Sequence, residues 1–247
     1  MGGDLAPSVI VDGAVAAARH LDVRLLLVGQ PMEVERALAE HPGWRSLGLQ
    51  VVEATEVVGM SESPARALRR KPGASIRVAV DLVADGKAAA VFSAGSTGAT
   101  VLAAHKAFGM IRGVDRPAII TTIPTRKRPA VLLDAGANAE CRPQHLLQFA
   151  VMGSIYASLA LGVERPKVGL LSSGEEEAKG NDLTREAHQL LKVAPVNFIG
   201  NVEARDVYSG VADVIVCDGF TGNVVLKVSE GLVETVEALH GEELKGT

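Results

Sequence analysis

Residues 214–239, VIVCDGFTGNVVLKVSEGLVETVEAL, decide the fold because they place a short β-branched strand, a glycine turn and a helical pattern in succession. The strand is predicted at Val214–Cys217 and the helix at Val224–Leu239. Similar strand patterns recur at Val23–Val28, Leu49–Val52, Ala89–Ser93, Ile119–Ile123, Val131–Asp134, Val168–Leu171 and Asn197–Ile199. Alternation of this kind predicts a three-layer α/β fold, with helices on both faces of a mostly parallel sheet.

The other helices are predicted where helical spacing of apolar residues follows proline or a small polar residue. They are Pro7–Leu21, Pro31–Glu40, Pro64–Arg70, Ile76–Asp85, Thr97–Phe108, Pro143–Leu161 and Leu183–Leu191. Neither an internal repeat nor a long linker divides them, so residues 1–247 are expected to form one continuous α/β domain. The start at Met1–Asp4 lacks a preceding strand and the end is polar, which predicts a fragment incomplete at both ends.

Composition excludes several classes of protein. Hydrophobic residues make up 47% of the chain and charged residues 22%, a balance typical of a globular protein rather than a disordered one. The net charge is -4 and only 3% of residues are aromatic, so a nucleic-acid partner is not expected. Cys141 and Cys217 are far apart and no signal peptide precedes them, which favours a cytoplasmic protein without a structural metal site.

The most apolar stretch, Leu146–Leu161, is interpreted as a buried helix. Polar residues interrupt it, and it is shorter than the roughly 20 apolar residues of a membrane-spanning helix. Its small residues allow another element to approach closely, either inside one subunit or between two subunits. They are Ala150, Gly153, Ser154 and Ala157.

Four glycine-containing loops are candidates for anion binding. They are MGGD at Met1–Asp4, SAGSTGA at Ser93–Ala99, LDAGAN at Leu133–Asn138 and CDGFTGN at Cys217–Asn223. One such loop alone is more often a simple tight turn, but several in one chain suggest backbone N–H donors around a phosphate. The dinucleotide pattern GxGxxG and the nucleotide pattern GxxxxGK[ST] are both absent, so neither cofactor class is supported.

The segment SSGEEEAKGND, Ser172–Asp182, adds a candidate cation. Gly174 and Gly180 bracket it and favour a loop over a helix. In a loop, Lys179 is available as a point charge on phosphate. The alternative is a solvated charged loop without a ligand.

Six motifs in order, MGGDLAPS, SAGSTGA, LDAGAN, GEEEAKGND, NVEARD and CDGFTGNVVLK, resemble the bacterial phosphate acyltransferases of phospholipid synthesis, the PlsX family. The resemblance covers essentially the whole chain. It implies a fold similar to that of phosphotransacetylases and of the isocitrate and isopropylmalate dehydrogenases. It also implies a cytoplasmic homodimer that transfers a fatty acyl group from acyl carrier protein to inorganic phosphate without a cofactor or metal. Peripheral association with the inner face of the membrane, beside the downstream acyltransferase, is a further expectation.

This sequence departs from the family pattern at two sites and at its ends. Ser96 stands where the family commonly has Asn, and Ser172-Ser173 replaces the usual Asn-Ile. A serine hydroxyl can still donate one hydrogen bond. Family members usually also have a strand before MGGD and a further C-terminal stretch.

The resemblance and the reaction together assign roles to residues. Lys179 and the N–H groups of Gly95–Gly98 are expected to bind phosphate, while Asn223 and the backbone near Gly222 face the acyl oxygen. Asp218 is expected to orient a neighbour or take a proton from phosphate, and its alternative is a turn former bonded to local backbone. Further substrate-binding candidates are Gly2, Gly3, Asp4, Ser96, Thr97, Asn138 and Gly219.

An acidic carrier protein needs a basic docking surface. The segment Pro64–Arg77 contains only basic charged residues, and its docking candidates are Arg66, Arg69, Arg70 and Lys71. A second group is Arg126–Arg128, and a solvated charge run is the alternative for both groups. Two other functions remain open at this point: a phosphotransacetylase-like enzyme acting on coenzyme A thioesters, and an inactive truncated homologue that only binds phosphate.

Overall fold

The computed structural model describes the backbone of residues 1–245 and the side chains of residues 1–240. The chain divides into two compact units, Met1–Ile111 and a second unit that begins at Arg112. Each unit is described by itself. The expectation of one continuous domain stays a prediction.

The first unit contains a small parallel sheet surrounded by helices. Its elements are α1 (Ser8–His20), β1 (Leu25–Gly29), α2 (Pro31–Ala39), a 3-10 turn (Trp44–Ser46), β2 (Leu49–Glu53), α3 (Pro64–Arg70), α4 (Ser75–Ala84) and α5 (Thr97–Phe108). β1 pairs with β2 in parallel, with Leu25 opposite Leu49. Apolar residues of α1, α2 and β2 form one buried cluster, and a second buried cluster joins α3, α4 and α5. Seven of the predicted segments of this unit are therefore confirmed, with ends shifted by one or two residues at most.

The strand predicted at Ala89–Ser93 is wrong, because this segment forms no strand in the described chain. Its first two residues are alanines, which favour strands weakly, and Phe92 is 86% exposed. An apolar run without a neighbouring strand to bond to cannot form a ladder.

The second unit is built on a five-stranded sheet. Its elements are β3 (Ile120–Ile123), β4 (Ala130–Leu133), α6 (Pro143–Leu161), β5 (Lys167–Leu171), α7 (Asp182–Lys192), β6 (Asn197–Val202), a 3-10 turn (Ala204–Asp206), β7 (Val214–Val216) and α8 (Gly219–Lys245). The strand order is β3-β4-β7-β5-β6. Only β3 runs antiparallel to its neighbour, so the predicted mostly parallel α/β sheet is confirmed.

Helix α6 packs onto this sheet through its small residues. Ala150 and Ala157 are completely buried, and a Cβ atom added at Gly153 would lie 2.6 Å from Cγ1 of Val214 on β7. The small residues therefore serve packing inside this unit, which was one of the two predicted explanations. Among the described residues, no helix combines the length and hydropathy needed to cross a membrane.

Candidate functional site

Three of the predicted loops lie at the same edge of the five-stranded sheet. LDAGAN follows β4, CDGFTGN follows β7 and SSGEEEAKGND follows β5, and these three strands are parallel neighbours. The carboxyl ends of parallel neighbours lie at the same edge of a sheet, which is where ligands bind in open α/β folds. Residues of NVEARD follow β6, the next strand along.

Asp134 organises the LDAGAN turn from a completely buried position. Its Oδ1 atom accepts hydrogen bonds from the N–H groups of Ile119, Gly136 and Ala137 at 3.0, 3.1 and 2.9 Å. Its Oδ2 atom accepts from both the backbone N–H and the side-chain amide of Asn138, each at 2.8 Å. With five donors around it, this carboxylate stabilises the turn, and no further group is needed to compensate its burial.

Asn138 connects this turn to the start of α8. Its side-chain nitrogen donates to Asp134 and to the carbonyl oxygen of Pro117, the latter at 2.7 Å, so both amide protons are used. Its own carbonyl oxygen accepts the N–H of Gly219 at 2.8 Å. The substrate-binding role of Asn138 stays a prediction, and only its side-chain oxygen is left for a ligand.

Helix α8 begins at Gly219, five residues before the predicted start at Val224. The reason is a cap: Oδ1 of Asp218 accepts the N–H of Thr221 at 2.9 Å, and Oδ2 accepts the Thr221 hydroxyl at 2.7 Å. Residues 219–223, which were expected to lie in a loop, therefore form the first turn of the helix. A Cβ atom added at Gly222 would overlap the carbonyl oxygen of Asp134, so this helix start needs glycine to reach the LDAGAN turn.

Asn223 is exposed on this first turn and lies beside Gly136 of LDAGAN. A Cβ atom at Gly136, whose φ is +140°, would lie 3.6 Å from Oδ1 of Asn223. The Asn223 side chain makes no hydrogen bond to other described residues. It can therefore donate to a bound oxygen.

Residues 172–181 form an irregular loop, as predicted. Lys179 is exposed in it and forms no ion pair with any described residue. Its stem lies against Gly174, where a Cβ atom would be 2.8 Å from Cγ of Lys179. Ser172, at the start of the loop, has a buried hydroxyl oxygen without a hydrogen-bond partner in the described part of the chain.

Side chains of α7 and β6 fix this loop. Arg185 donates from Nη1 to the carbonyl oxygen of Gly180 at 2.6 Å, and Asn201 donates from Nδ2 to the carbonyl oxygen of Glu176 at 2.9 Å. Hydrogen bonds from Gln189 and Lys192 lower the pKa of the Glu177 carboxyl. The loop is therefore anchored at several points although its lysine is open to solvent.

An acidic cluster that sequence reasoning missed lies near the same edge. Three carboxylate oxygens lie within 4.8 Å of one another, one each from Glu175, Glu203 and Asp206. Arg205 contacts Glu203 at 2.5 Å and Glu175 at 3.8 Å, and the Glu203 N–H donates to Asp206 at 3.1 Å. These contacts account for the cluster without an ion.

In the first unit, MGGD packs against SAGSTGA. A Cβ atom at Gly2 would lie 2.7 Å from the Cα of Gly95, and one at Gly3 would lie 2.9 Å from the carbonyl oxygen of Ala94. Both loops therefore need glycine for their close approach. Asp4 is exposed at the end of the first loop.

Ser96 caps helix α5 by accepting the N–H of Ala99 at 3.4 Å. The N–H groups of Thr97 and Gly98 donate to no acceptor among the described residues. Unbonded N–H groups at the start of a 12-residue helix provide donors for an anion. The contacts of this loop are thus compatible with the predicted phosphate role.

The predicted docking residues differ in their surroundings. Arg66, Arg69 and Arg70 are exposed and form no ion pair with the described residues. Lys71 instead donates to Oε1 of Glu62 at 2.5 Å and to the carbonyl oxygen of Val57 at 2.7 Å, and the bond to Glu62 lowers the pKa of that carboxyl. The three arginines present the accessible charge of the segment.

Neither cysteine has the surroundings of a nucleophile. Burial raises the pKa of Cys141 to about 11 and raises that of Cys217 as well. A cysteine reacts as its thiolate, so both thiols are inert near neutral pH.

This chain is similar to known proteins in sequence and in fold. The model of the family described as "Fatty acid synthesis protein" matches residues 1–247. A phosphate acyltransferase of Syntrophotalea carbinolica is 52% identical over 245 residues, which are 99% of this chain and 70% of that protein. A phosphate acyltransferase of Heliobacterium modesticaldum is 53% identical over 247 residues, which are 100% of this chain and 74% of that protein.

Solved structures of low sequence identity share the fold. A phosphotransacetylase from Streptococcus pyogenes superposes with a TM-score of 0.59 at 16% identity, covering 91% of this chain and 86% of that one. The EutD phosphotransacetylase from Staphylococcus aureus gives a TM-score of 0.54 at 19% identity, covering 90% of this chain and 86% of that one. The predicted similarity to the phosphotransacetylase fold is confirmed.

Proposed function

We propose, since the chain belongs to the fatty acid synthesis protein family and is an acyltransferase, that it transfers a fatty acyl group from acyl carrier protein to inorganic phosphate. The product is an acyl phosphate for phospholipid synthesis. The observation that carries the proposal is that three motif loops follow adjacent parallel strands, β4, β7 and β5, and so lie at the same edge of the sheet, with Lys179 exposed in one of them.

The proposed reaction needs no covalent intermediate on the protein. A phosphate oxygen attacks the thioester carbonyl, a C–O bond forms, the C–S bond breaks, and the carrier leaves as a thiolate. A thiol has a pKa of about 8.5, so the leaving group needs little help from an acid. The raised pKa values of both cysteines favour this direct attack over a covalent enzyme intermediate.

What the protein supplies is position and charge. Lys179 binds the phosphate oxygens as a point charge, and Asn223 donates to the oxygen that becomes negative in the tetrahedral transition state. In the first unit, the open N–H groups of Thr97 and Gly98 support the predicted phosphate role of Gly95–Gly98. The proton-accepting role of Asp218 stays a prediction, because its contacts are those of a helix cap.

The first experiment replaces Lys179 by alanine. We expect kcat/KM for phosphate to fall about 100-fold, the size typical of losing one preorganised charged donor, while the KM for the carrier substrate changes little. Thiol release measures the rate, and circular dichroism checks the fold. Lys87→Ala, at another exposed lysine, is the control. Unchanged turnover of Lys179→Ala would remove this residue from the mechanism.

The acyl donor is tested at the exposed arginines. We expect Arg69→Glu with Arg70→Glu to raise the KM for acyl carrier protein about tenfold and to flatten its salt dependence. If the native chain also uses acyl coenzyme A, the double variant should have the native KM for that thioester. Preference of the native chain for coenzyme A would instead favour the phosphotransacetylase-like alternative, and a phosphate-induced rise in Tm without turnover would favour the inactive homologue.

We also propose a cytoplasmic homodimer, and exposed apolar residues of α8 support the dimer. Apolar side chains recur at every fourth residue of this helix and remain exposed, in a stripe that turns by about 160° around the helix from its first to its last member. They are Phe220, Val224, Val228, Leu232 and Val236. A second copy of the chain would bury them. Light scattering of Val228→Asp should show a monomer if this stripe is the subunit contact. Retention of the dimer, together with weaker flotation on anionic lipid vesicles, would assign the stripe to peripheral membrane association instead.

A further inference from the structure

Asn201, at the end of β6, joins two parts of the second unit that are distant in sequence. Its side chain is buried, with 8% of the residue exposed. Nδ2 donates to the carbonyl oxygen of Glu176 at 2.9 Å, and Oδ1 lies 2.9 Å from Nδ1 of His188 on α7. A buried polar side chain with partners on two elements fixes their relative position.

The chemistry of these partners decides which atom is which. A carbonyl oxygen only accepts, so the Asn201 atom facing Glu176 is the amide nitrogen. The amide oxygen then faces His188, whose Nδ1 must donate. The His188 ring is itself buried and packs edge-on against Phe198, with ring centres 5.0 Å apart. A directed series of hydrogen bonds therefore runs from α7 through β6 to the loop.

The loop atom at the end of this series is one turn from the proposed phosphate-binding lysine. The carbonyl oxygen of Glu176 also accepts the backbone N–H of Lys179, at 2.9 Å. This one carbonyl oxygen thus accepts two hydrogen bonds. One comes from the Lys179 N–H and closes the turn that presents the lysine, and the other comes from the Asn201 amide. Fixing this oxygen fixes the backbone from which the lysine side chain extends.

We infer that Asn201, oriented by His188, is a positioning residue for Lys179 in phosphate binding. This inference rests on the proposed function of Lys179. Without the amide donor the Glu176 carbonyl loses its anchor, the turn samples other conformations, and Lys179 is less often in place when phosphate arrives. The cost is expected in the KM for phosphate, because the proposed function assigns this turn to phosphate and not to the carrier substrate.

The main test is Asn201→Asp, which keeps the shape and the acceptor for His188 but removes the donor to Glu176. We expect the KM for phosphate to rise about tenfold, with a small change in kcat and none in the KM for the carrier substrate. Amide hydrogen exchange over residues 173–180 should become faster. Asn197→Asp, which removes an amide donor to the carbonyl oxygen of Arg165 at the other end of β6, is the matched control and should change neither quantity.

A second pair of variants keeps the test valid if the buried aspartate prevents folding. Asparagine at position 188 can place an amide nitrogen near the position of Nδ1, whereas leucine cannot donate. We therefore expect His188→Leu to raise the KM for phosphate and the exchange rate, and His188→Asn to restore both. Equal behaviour of these two variants, or unchanged exchange and KM in Asn201→Asp, would overturn the inference.

A double variant separates positioning from general destabilisation. If Asn201 acts through Lys179, Asn201→Asp should cause no further rise in the KM for phosphate in a Lys179→Ala background. An additive rise would overturn the inference. Failure of the proposed function has a different signature: Lys179→Ala would then leave the KM for phosphate unchanged, while exchange over residues 173–180 would still report the anchoring by Asn201.

Discussion

The starts of helices α5 and α8 look alike in sequence but differ in what their backbone donors do. Each helix follows a glycine-containing loop and has a polar cap, Ser96 for α5 and Asp218 for α8. At α8, local acceptors take most of the first-turn N–H groups. At α5, the N–H groups of Thr97 and Gly98 meet no acceptor among the described residues.

This difference separates a helix start whose N–H groups are used in packing from one that has N–H groups left to donate to an anion. The start of α8 is bonded to LDAGAN through Gly219 and is capped through Thr221, so its glycines bring two loops into contact. The start of α5 has spare donors, which a helix end satisfies with water or a ligand. Glycine spacing alone cannot distinguish the two cases, because what matters is the number of acceptors nearby.

The largest effect is expected where α8 meets the LDAGAN turn. Gly222→Ala places a methyl group onto the carbonyl oxygen of Asp134 and 3.0 Å from the sulfur of Cys217. Neither backbone nor buried sulfur can move away without disturbing the turn, so we expect a loss of about 3 kcal/mol in the free energy of unfolding. Urea unfolding followed by circular dichroism measures it.

Gly231→Ala, in the same helix, is the matched control. A Cβ atom there has no neighbour within 4 Å. Alanine should therefore stabilise the helix by up to about 1 kcal/mol through its better helix propensity. Equal effects of the two substitutions would contradict the structural role assigned to the start of α8.

The next effect is on phosphate and tests the start of α5. Thr97 is the first residue of this helix, a position where proline is tolerated, and Ser96 before it has ψ 117°, away from the helical value that a following proline disfavours. Thr97→Pro thus removes one unbonded N–H group while leaving the helix in place. We expect a rise of about tenfold in the KM for phosphate with little change in Tm.

Thr97→Ala provides the comparison, since it loses the side chain but keeps the N–H group. Its KM for phosphate should stay near that of the native chain. If both variants raise the KM equally, the threonine side chain and not the backbone donor binds the substrate.

A smaller effect is expected at the cap of α8. Asn caps a helix about as well as Asp, so Asp218→Asn should cost less than about 1 kcal/mol and leave the turnover rate within about threefold of the native one. Acyl phosphate formation across pH 6–9 measures this. If turnover instead drops by two orders of magnitude or more while the fold stays intact, Asp218 is established as the proton acceptor.

Local patterns predicted most elements of the fold. Helices α3, α5 and α6 have the predicted bounds, because Pro64, Ser96 and Pro143 mark their starts in the sequence itself. The start of α8 lies earlier than predicted, because a local pattern does not distinguish a glycine loop from a first helical turn that contains Gly219 and Gly222 behind a capping Asp218. The wrongly predicted strand at Ala89–Ser93 has a different cause. Whether an apolar run forms a strand depends on a partner strand elsewhere in the chain, which the run itself does not reveal.

The candidate site was predictable in its motifs but not in its arrangement. That the loops after β4, β7 and β5 are neighbours follows from the strand order, which no local pattern reveals. The five hydrogen bonds to Asp134 could not be foreseen either, because one of them comes from Ile119 on a separate segment. The anchoring of Glu176 by Asn201 likewise joins residues 25 positions apart.

The smallest effect is expected at Cys141, which follows the LDAGAN turn in the chain. Its thiol donates to the carbonyl oxygen of Asn138 at 3.6 Å, a weak bond, and burial raises its pKa to about 11. At pH 8 only about one such thiol in 1,000 is ionised, compared with about one in four for a free cysteine. Iodoacetamide should therefore label Cys141 more than about 100-fold more slowly in the native chain than in urea, as followed by mass spectrometry.

Cys141→Ala should leave the turnover rate within about twofold of the native one, because a direct attack by phosphate does not involve this sulfur. Rapid labelling that abolishes thiol release, with Cys141→Ala inactive but folded, would place an acyl-enzyme intermediate here and overturn the direct attack by phosphate.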